Sequence, residues 1–338
     1  MARPFTRTPA PTSRRGRRFA RPAPAARLGA VNPSPVSILE MNRVNIALRS
    51  FRREGEKGYG YATAWFLRRF YYRFLKRHFQ PRRHVGPDDL KQALTVIVPA
   101  VEKDAPVLAH CLRSIREMIR HRLVEVWVVA PESAIIRNIA AVETCKFVHE
   151  DTILPRPAAE LKCRGWVLQQ FIKLNASAFV STPDYLVVDA DTVFLRPQSF
   201  FRGGKSVLRY ADQYELLYNR SLELVFGHPR RFPVSFVTHH MLFNAALVKE
   251  LLHLLEQRFG CPWWEAILYE VDRGHPISFS EYELYGNLII SQKHWRRDFA
   301  LEYWAGSDSD ARDLSRLTEI RKETKQRLNS VSFHWHTQ

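Results

Sequence analysis

Between Leu94 and Val188 the chain alternates short β-branched runs with longer stretches of helical spacing, and that alternation restricts the folds open to it. Leu94-Thr-Val-Ile-Val-Pro99 reads as a buried strand, as do Val124-Glu-Val-Trp-Val-Val-Ala130 and Tyr185–Val188, with Lys146-Phe-Val-His149 a shorter one. Between them, Val107, Leu108, Cys111, Leu112, Ile115, Met118 and Ile119 recur at helical intervals over 105–121, and 133–142 and 165–178 also read as helices. Strand–helix–strand alternation predicts right-handed βαβ units, hence an α/β fold with a mostly parallel central sheet flanked by helices. Such sheets bind ligands beyond the carboxyl ends of their strands, so the residues following each strand are where chemistry is sought.

The charge is unevenly placed. Residues 1–85 hold 20 Lys or Arg and three acids, a net +17, whereas the remainder holds 31 of each sign. A nucleic-acid enzyme would carry its excess beside the active site, so no nucleic-acid partner is expected. Residues 1–40, rich in Arg, Pro and Ala with seven prolines, have too few large apolar side chains to offset their ordering entropy and read as a disordered tail. Residues 41–91 form a second segment, whose stretch 62–79 fits a helix. Phe66, Leu67, Phe70, Tyr71 and Phe74 share one side of it, and Arg69, Arg73, Lys76 and Arg77 another. That pattern suits an interfacial anchor on an anionic membrane, and equally a helix packing its aromatic face on a neighbouring domain. Cys111, Cys145, Cys163 and Cys261 show neither C-x-x-C pairing nor regular spacing, which predicts reduced thiols in a cytoplasmic protein, peripheral at the inner membrane face if the helix anchors it.

The strand Tyr185–Val188 ends in Asp189-Ala-Asp191. In extended chain, residues i and i+2 point the same way, so both carboxylates can address one cation. Hard divalent ions such as Mg²⁺ or Mn²⁺ are commonly shared between one or two carboxylates and a substrate's phosphates, so this position suits a metal–diphosphate.

The set Thr95-Val-Ile-Val-Pro99, Cys111-Leu-Arg-Ser114 and Leu186-Val-Val-Asp-Ala-Asp-Thr-Val-Phe-Leu195 resembles bacterial GT-A-type glycosyltransferases. It is closest to an uncharacterised family sharing Gly165-Trp-x-x-Gln-Gln-x-x-Lys-Leu174, Phe279-Ser-Glu-Tyr-Glu-Leu-Tyr-Gly-Asn287 and a terminal His-Trp, and is distantly similar to glycogenin-like retaining transferases. The likeness spans residues 92–338, taken as one GT-A-like catalytic domain with a Rossmann-like nucleotide-binding half.

The resemblance implies donor contacts from Pro99, Ala100 and Val101 after the first strand, from Gln169, Gln170 and Lys173 on the helix before the D-x-D strand, and from Asp189. It implies a divalent cation at Asp189 and Asp191, completed by a C-terminal histidine, with His334 first and His336 second. Thr238-His-His-Met-Leu-Phe-Asn244 is similar to the sugar-pocket strand of glycogenin-like enzymes but lacks its glycine. If that stretch is extended, His239 and His240 face opposite ways and one of them at most enters the pocket. Glu281 and Glu283 are the carboxylates left for acceptor binding or base duty. They share a face if extended and diverge by about 200° if helical, where Ser280 would cap and both acids would sit in the first turn.

These expectations describe a metal-dependent transferase that moves a sugar from a UDP- or GDP-linked donor to a glycan or lipid-linked acceptor in surface-polysaccharide synthesis. A sugar-nucleotidyltransferase is the alternative enzyme, though its glycine-rich loop is absent from Ala100–Ala105. A degenerate binding or scaffold protein is the alternative outside catalysis.

Overall fold

The computed structural model describes residues 85–211, 218–227, 235–273, 279–324 and 328–334. The expected basic tail, the helix over 62–79 and His336 lie outside them. Strand β1 (Ala93–Pro99) leads into helix α1 (Ala105–Met118), strand β2 (Arg122–Ala130), helix α2 (Ala134–Val142) and strand β3 (Lys146–His149). Helix α3 (Gly165–Asn175) returns the chain to β4 (Asp184–Val188), followed by β5 (Thr192–Phe194), β6 (Phe201–Arg202) and β7 (Lys205–Tyr210). Then come α4 (Tyr218–Phe226), β8 (His240–Asn244), α5 (Ala245–Phe259), α6 (Trp263–Arg273) and α7 (Glu281–Ser291). Strands β9 (Phe299–Tyr303) and β10 (Gly306–Asp310), helix α8 (Leu317–Thr324) and β11 (Ser330–His334) complete the order.

The central sheet runs β3-β2-β1-β4-β8, parallel throughout except for β8, which pairs antiparallel to β4. Strands β1 and β4 and the second half of β2 are buried on both faces, so successive residues there enter opposite cores. Ile97, Trp127, Val129, Tyr185 and Val187 join the core under α3, α5 and α7, while Val96, Val98, Val128, Leu186 and Val188 join the one under α1 and α2. Two three-stranded sheets, β10-β11-β5 and β6-β7-β9, stand beside it.

Local chemistry sets the element ends. The Ser133 and Asn244 side chains accept from Ile136 N and Leu247 N and so cap α2 and α5, and α5 stops where Gly260 turns left-handed. Helix α1 ends at Met118, short of the expected His121. Beyond it the backbone joins the segment after β5, with Gln198 N donating to Met118 O (2.7 Å) and Arg120 N to Gln198 O (3.0 Å). No helix among the described residues is long and apolar enough to cross a membrane.

Helix α7 approaches the segment Ser235–Val237 so closely that a methyl on Gly286 would fall inside the Phe236 ring. That ring has little room to retreat, because Phe236 N and Ser235 Oγ both donate to the Glu283 carboxylate (3.2 and 2.8 Å). Gly286→Ala is therefore expected to lower stability by about 1–3 kcal/mol through overpacking, outweighing the gain of ~1 kcal/mol in helix propensity. Urea unfolding decides it: a variant with a raised midpoint would show that propensity wins.

Candidate active site

Beyond Val188 the chain leaves the sheet in a tight turn, in which Thr192 N donates to Asp189 O (3.0 Å). The two aspartates thus converge through a turn and not through the pleat of an extended strand. The same turn binds two distant segments by backbone: Asp189 N donates to His239 O, and Phe333 N donates to Asp191 O, each at 2.9 Å. His239 has φ +60°, a left-handed conformation that costs a non-glycine residue about 1–3 kcal/mol. That backbone brings the His239 ring toward Asp189, while His240 enters β8.

The side chains close a ring of charge. His334 Nδ1 lies 3.0 Å from Asp191 Oδ2 and His239 Nδ1 lies 3.4 Å from Asp189 Oδ2, while both Nε2 atoms approach Asp308 Oδ1 (3.3 and 3.5 Å). With carboxylates at both nitrogens, each ring is an imidazolium in the metal-free protein. Burial by itself would lower His239, but its hydrogen bonds to Asp189 and Asp308 carry it up to about 9. The same kind of bonds, to Asp191 and then Asp308, carry His334 up to about 10.

On the opposite wall, α3 presents Trp166, Gln169, Gln170 and Lys173, a stripe at i, i+3, i+4 and i+7 that faces one way. The buried Lys173 Nζ lies 2.6 Å from Asp189 Oδ1 and 2.8 Å from Glu281 Oε1, over the Tyr282 ring. Burial opposes its charge, and the two carboxylates reverse this and hold it well above the usual lysine range. Burial raises Glu281, with Lys173 pulling against it. Tyr282 OH donates to Asp189 Oδ1 (3.0 Å). These walls enclose a cavity of about 310 Å³, to which Lys103 and Asp104 contribute from the turn between β1 and α1. Burial pushes the Asp104 carboxyl up to about 6, against a hydrogen bond from Val101 N. Gln170 Oε1 accepts from Glu281 N (3.2 Å), but its Nε2, although buried, has no hydrogen-bond partner among the described residues.

The structure therefore brings together Pro99, Gln169, Gln170, Lys173, Asp189, Asp191, His239, Glu281 and His334 around one cavity. Other expected residues stand elsewhere. Ala100 is buried with its N–H on Val129 O, and Val101 spends its N–H on Asp104 Oδ2 (3.0 Å), so neither lines the cavity. His240 is fully buried, donating from Nδ1 to Thr238 O and accepting from Arg209 at Nε2, so its expected donor contact is corrected to a core role. Glu283 is corrected likewise. Ser280 caps α7, the helical geometry parts the two glutamates, and the Glu283 carboxylate is taken up by Ser235, Phe236 and Asn287.

Sequence reasoning passed over Asp308, Tyr282, Trp166 and Asp104. Trp166 and Tyr282 stand inside motifs already singled out, and the one-face spacing from Trp166 to Lys173 was readable. Asp308 lies in Gly306-Ser-Asp-Ser-Asp310, which has the composition of a loop and carries no such signal.

Residues 92–318 match the model of a family described as a family of unknown function (DUF6492). The chain belongs to that family. No curated protein sequence is significantly similar to it. Among solved structures it is similar to the apo WbbM bifunctional glycosyltransferase (9% identity, TM-score 0.43), with 73% of this chain and 46% of that one covered, so it spans less than half of that protein. It is also similar to mouse xyloside xylosyltransferase 1 in its apo form (13%, TM-score 0.40), covering 71% of this chain and 97% of that one. A third is the glucosyl-3-phosphoglycerate synthase of Mycobacterium tuberculosis with Mn²⁺, UDP and phosphoglyceric acid (14%, TM-score 0.36), covering 53% and 71%. Likeness this distant fixes neither the activity nor the ligands of a member of the DUF6492 family.

Two measurements follow from the geometry. Lys173→Met leaves the buried Glu281 without its cation, while Asp189 keeps His239, and is expected to cost about 3–5 kcal/mol in urea unfolding, whereas an unchanged midpoint would show the ammonium to be dispensable. The imidazolium protons give the second. Their folded-state pKa values are raised, so in the metal-free protein their stabilisation is complete below about pH 6.5 and lost as pH rises through about 9 and 10. A cation taking an imidazole nitrogen must displace its proton, so Mn²⁺ affinity is expected to rise about tenfold per pH unit, per proton released, between pH 6.0 and 7.5. Calorimetry showing no pH dependence would exclude the histidines as ligands.

Proposed function

We propose that residues 92–338 form a metal-dependent glycosyltransferase of GT-A type, moving a sugar from a nucleotide-sugar donor to a glycan or lipid-linked acceptor, with surface-polysaccharide synthesis as its setting. The observation that carries the reading is the set of Asp189, Asp191 and His239 at the carboxyl end of β4, whose ligating atoms all lie within 4.8 Å of one another. Two carboxylates with an imidazole nitrogen fit Mn²⁺, which accepts mixed N and O donors, better than Mg²⁺, which favours oxygen alone. His334 brings a second imidazole beside that set, its Nδ1 3.0 Å from Asp191 Oδ2. A bound divalent ion supplies electrostatic relief for the charge that develops on a departing diphosphate.

The chain's own groups complete the case. Lys173 holds a fixed positive charge against Asp189 and supports the leaving side of the cavity. Gln170 lines the cavity, and its buried Nε2 has no hydrogen-bond partner among the described residues, an unsatisfied donor of a kind that costs about 1–3 kcal/mol. Trp166 stands one turn away on the same helix, an apolar surface for a sugar ring. Glu281, raised by burial, and Asp104, raised to about 6, are the carboxyls suited to proton transfer with an acceptor hydroxyl.

Calorimetric titration of UDP and of GDP, with and without Mn²⁺, into the wild-type protein and Asp191→Ala tests this reading. The expected result is metal-dependent binding of one nucleotide, weakened at least tenfold in the variant. Folded wild-type protein that binds neither nucleotide in Mn²⁺ would overturn the transferase reading in favour of a scaffold role.

A further inference from the structure

We propose that Asp308 is a positioning residue that orients both imidazoles so that their Nδ1 atoms face the Asp189–Asp191 pair. The inference rests on the cation site of the proposed transferase and extends it to a residue outside the D-x-D turn. The two rings stand side by side, their centroids 5.1 Å apart, and each spans from one carboxylate to another. At one end Nδ1 of His239 faces Asp189 Oδ2 (3.4 Å) and Nδ1 of His334 faces Asp191 Oδ2 (3.0 Å). At the other end both Nε2 atoms converge on a single oxygen, Asp308 Oδ1, at 3.5 and 3.3 Å.

Each ring nitrogen faces a carboxylate, so an entering cation displaces the proton at one end, and a cation at the Asp189–Asp191 end leaves Asp308 accepting the hydrogen that each Nε2 retains. One side chain thereby holds the orientation of two rings that come from separate elements, the entry to β8 and the end of β11. Carboxylate–imidazole–metal relays of this kind fix ligand orientation, and removing the carboxylate typically costs 10–100-fold in metal affinity. The register explains how Asp308 reaches the rings. It lies on β10, which pairs parallel with β11, opposite Ser332 and two residues before the position opposite His334.

The Nε2 end is itself a potential cation site, since His239, Asp308 and His334 are also close enough to share an ion. Charge and exposure favour the other end. There two carboxylates meet, with side chains 24% and 22% exposed, whereas Asp308 is alone and 55% exposed.

The test is Mn²⁺ binding to the full-length protein without nucleotide, followed by the EPR signal of free Mn²⁺ and by the ¹⁴N couplings of the bound ion. Asp308→Asn retains an acceptor oxygen and is expected to bind within a few-fold of wild type, while Asp308→Ala weakens binding 10–100-fold and diminishes the ¹⁴N couplings. Asp308→Ala with wild-type affinity and couplings would overturn the proposal. So would wild-type affinity in Asp191→Ala, which would put the ion at the Nε2 end. Wild-type protein that binds Mn²⁺ but no nucleotide would remove the transferase reading and leave Asp308's role intact, whereas failure to bind Mn²⁺ would overturn both.

Discussion

The backbone of the Asp189–Thr192 turn does more than present two carboxylates. Its amide at Asp189 holds the carbonyl of His239, and its carbonyl at Asp191 holds the amide of Phe333, so two segments far apart in the chain are tied to the end of β4. A main-chain hydrogen bond of this kind adds only about 0.5–1.5 kcal/mol net, but each one fixes where a histidine side chain can reach. Without the turn, the strained backbone at His239 has no anchor. The end of β11 would likewise have less reason to lie against β5.

Charge balance inside the cavity follows from the same placement. Asp189, Asp191 and Glu281 line it, Asp308 stands outside across the two histidine rings, and Asp104 is near enough to feel the first two. Buried like charges need compensation. Lys173 provides it on one side, between Asp189 and Glu281, and two imidazolium rings provide it on the other. The metal-free site is thus a set of acids neutralised by protons and an ammonium. Part of that neutralisation is replaceable by a divalent ion, and part of it, at Lys173, is permanent.

Much of this was readable from local pattern. The β-branched runs in β1, β2 and β4 and the helical spacing between them require only nearest-neighbour chemistry, and they specify a mostly parallel sheet and the strand ends at which Pro99 and Asp189 emerge. The stripe on α3 was equally accessible, because 3.6-residue periodicity places Gln169, Gln170 and Lys173 together whatever they face. The choice between extended and helical backbone at Glu281 and Glu283 was not accessible. It turned on whether Ser280 would cap a helix, and once it did, one glutamate entered the cavity and the other braced Phe236.

Sequence alone determined the fold class, the position of the D-x-D turn at a strand's carboxyl end, and the short set of polar residues able to surround it, since these depend on periodicities of two and 3.6 that each segment carries within itself. Tertiary structure decided which members of that set meet. His239 was separated from His240 by a left-handed backbone that no local propensity favours, and it holds because Asp189 N–H binds the His239 carbonyl. Asp308 entered the site from a strand of serines, glycine and aspartates that has little intrinsic preference for extended structure. It is a strand because β11 lies beside it, and pairing across the chain is a property that no single segment contains.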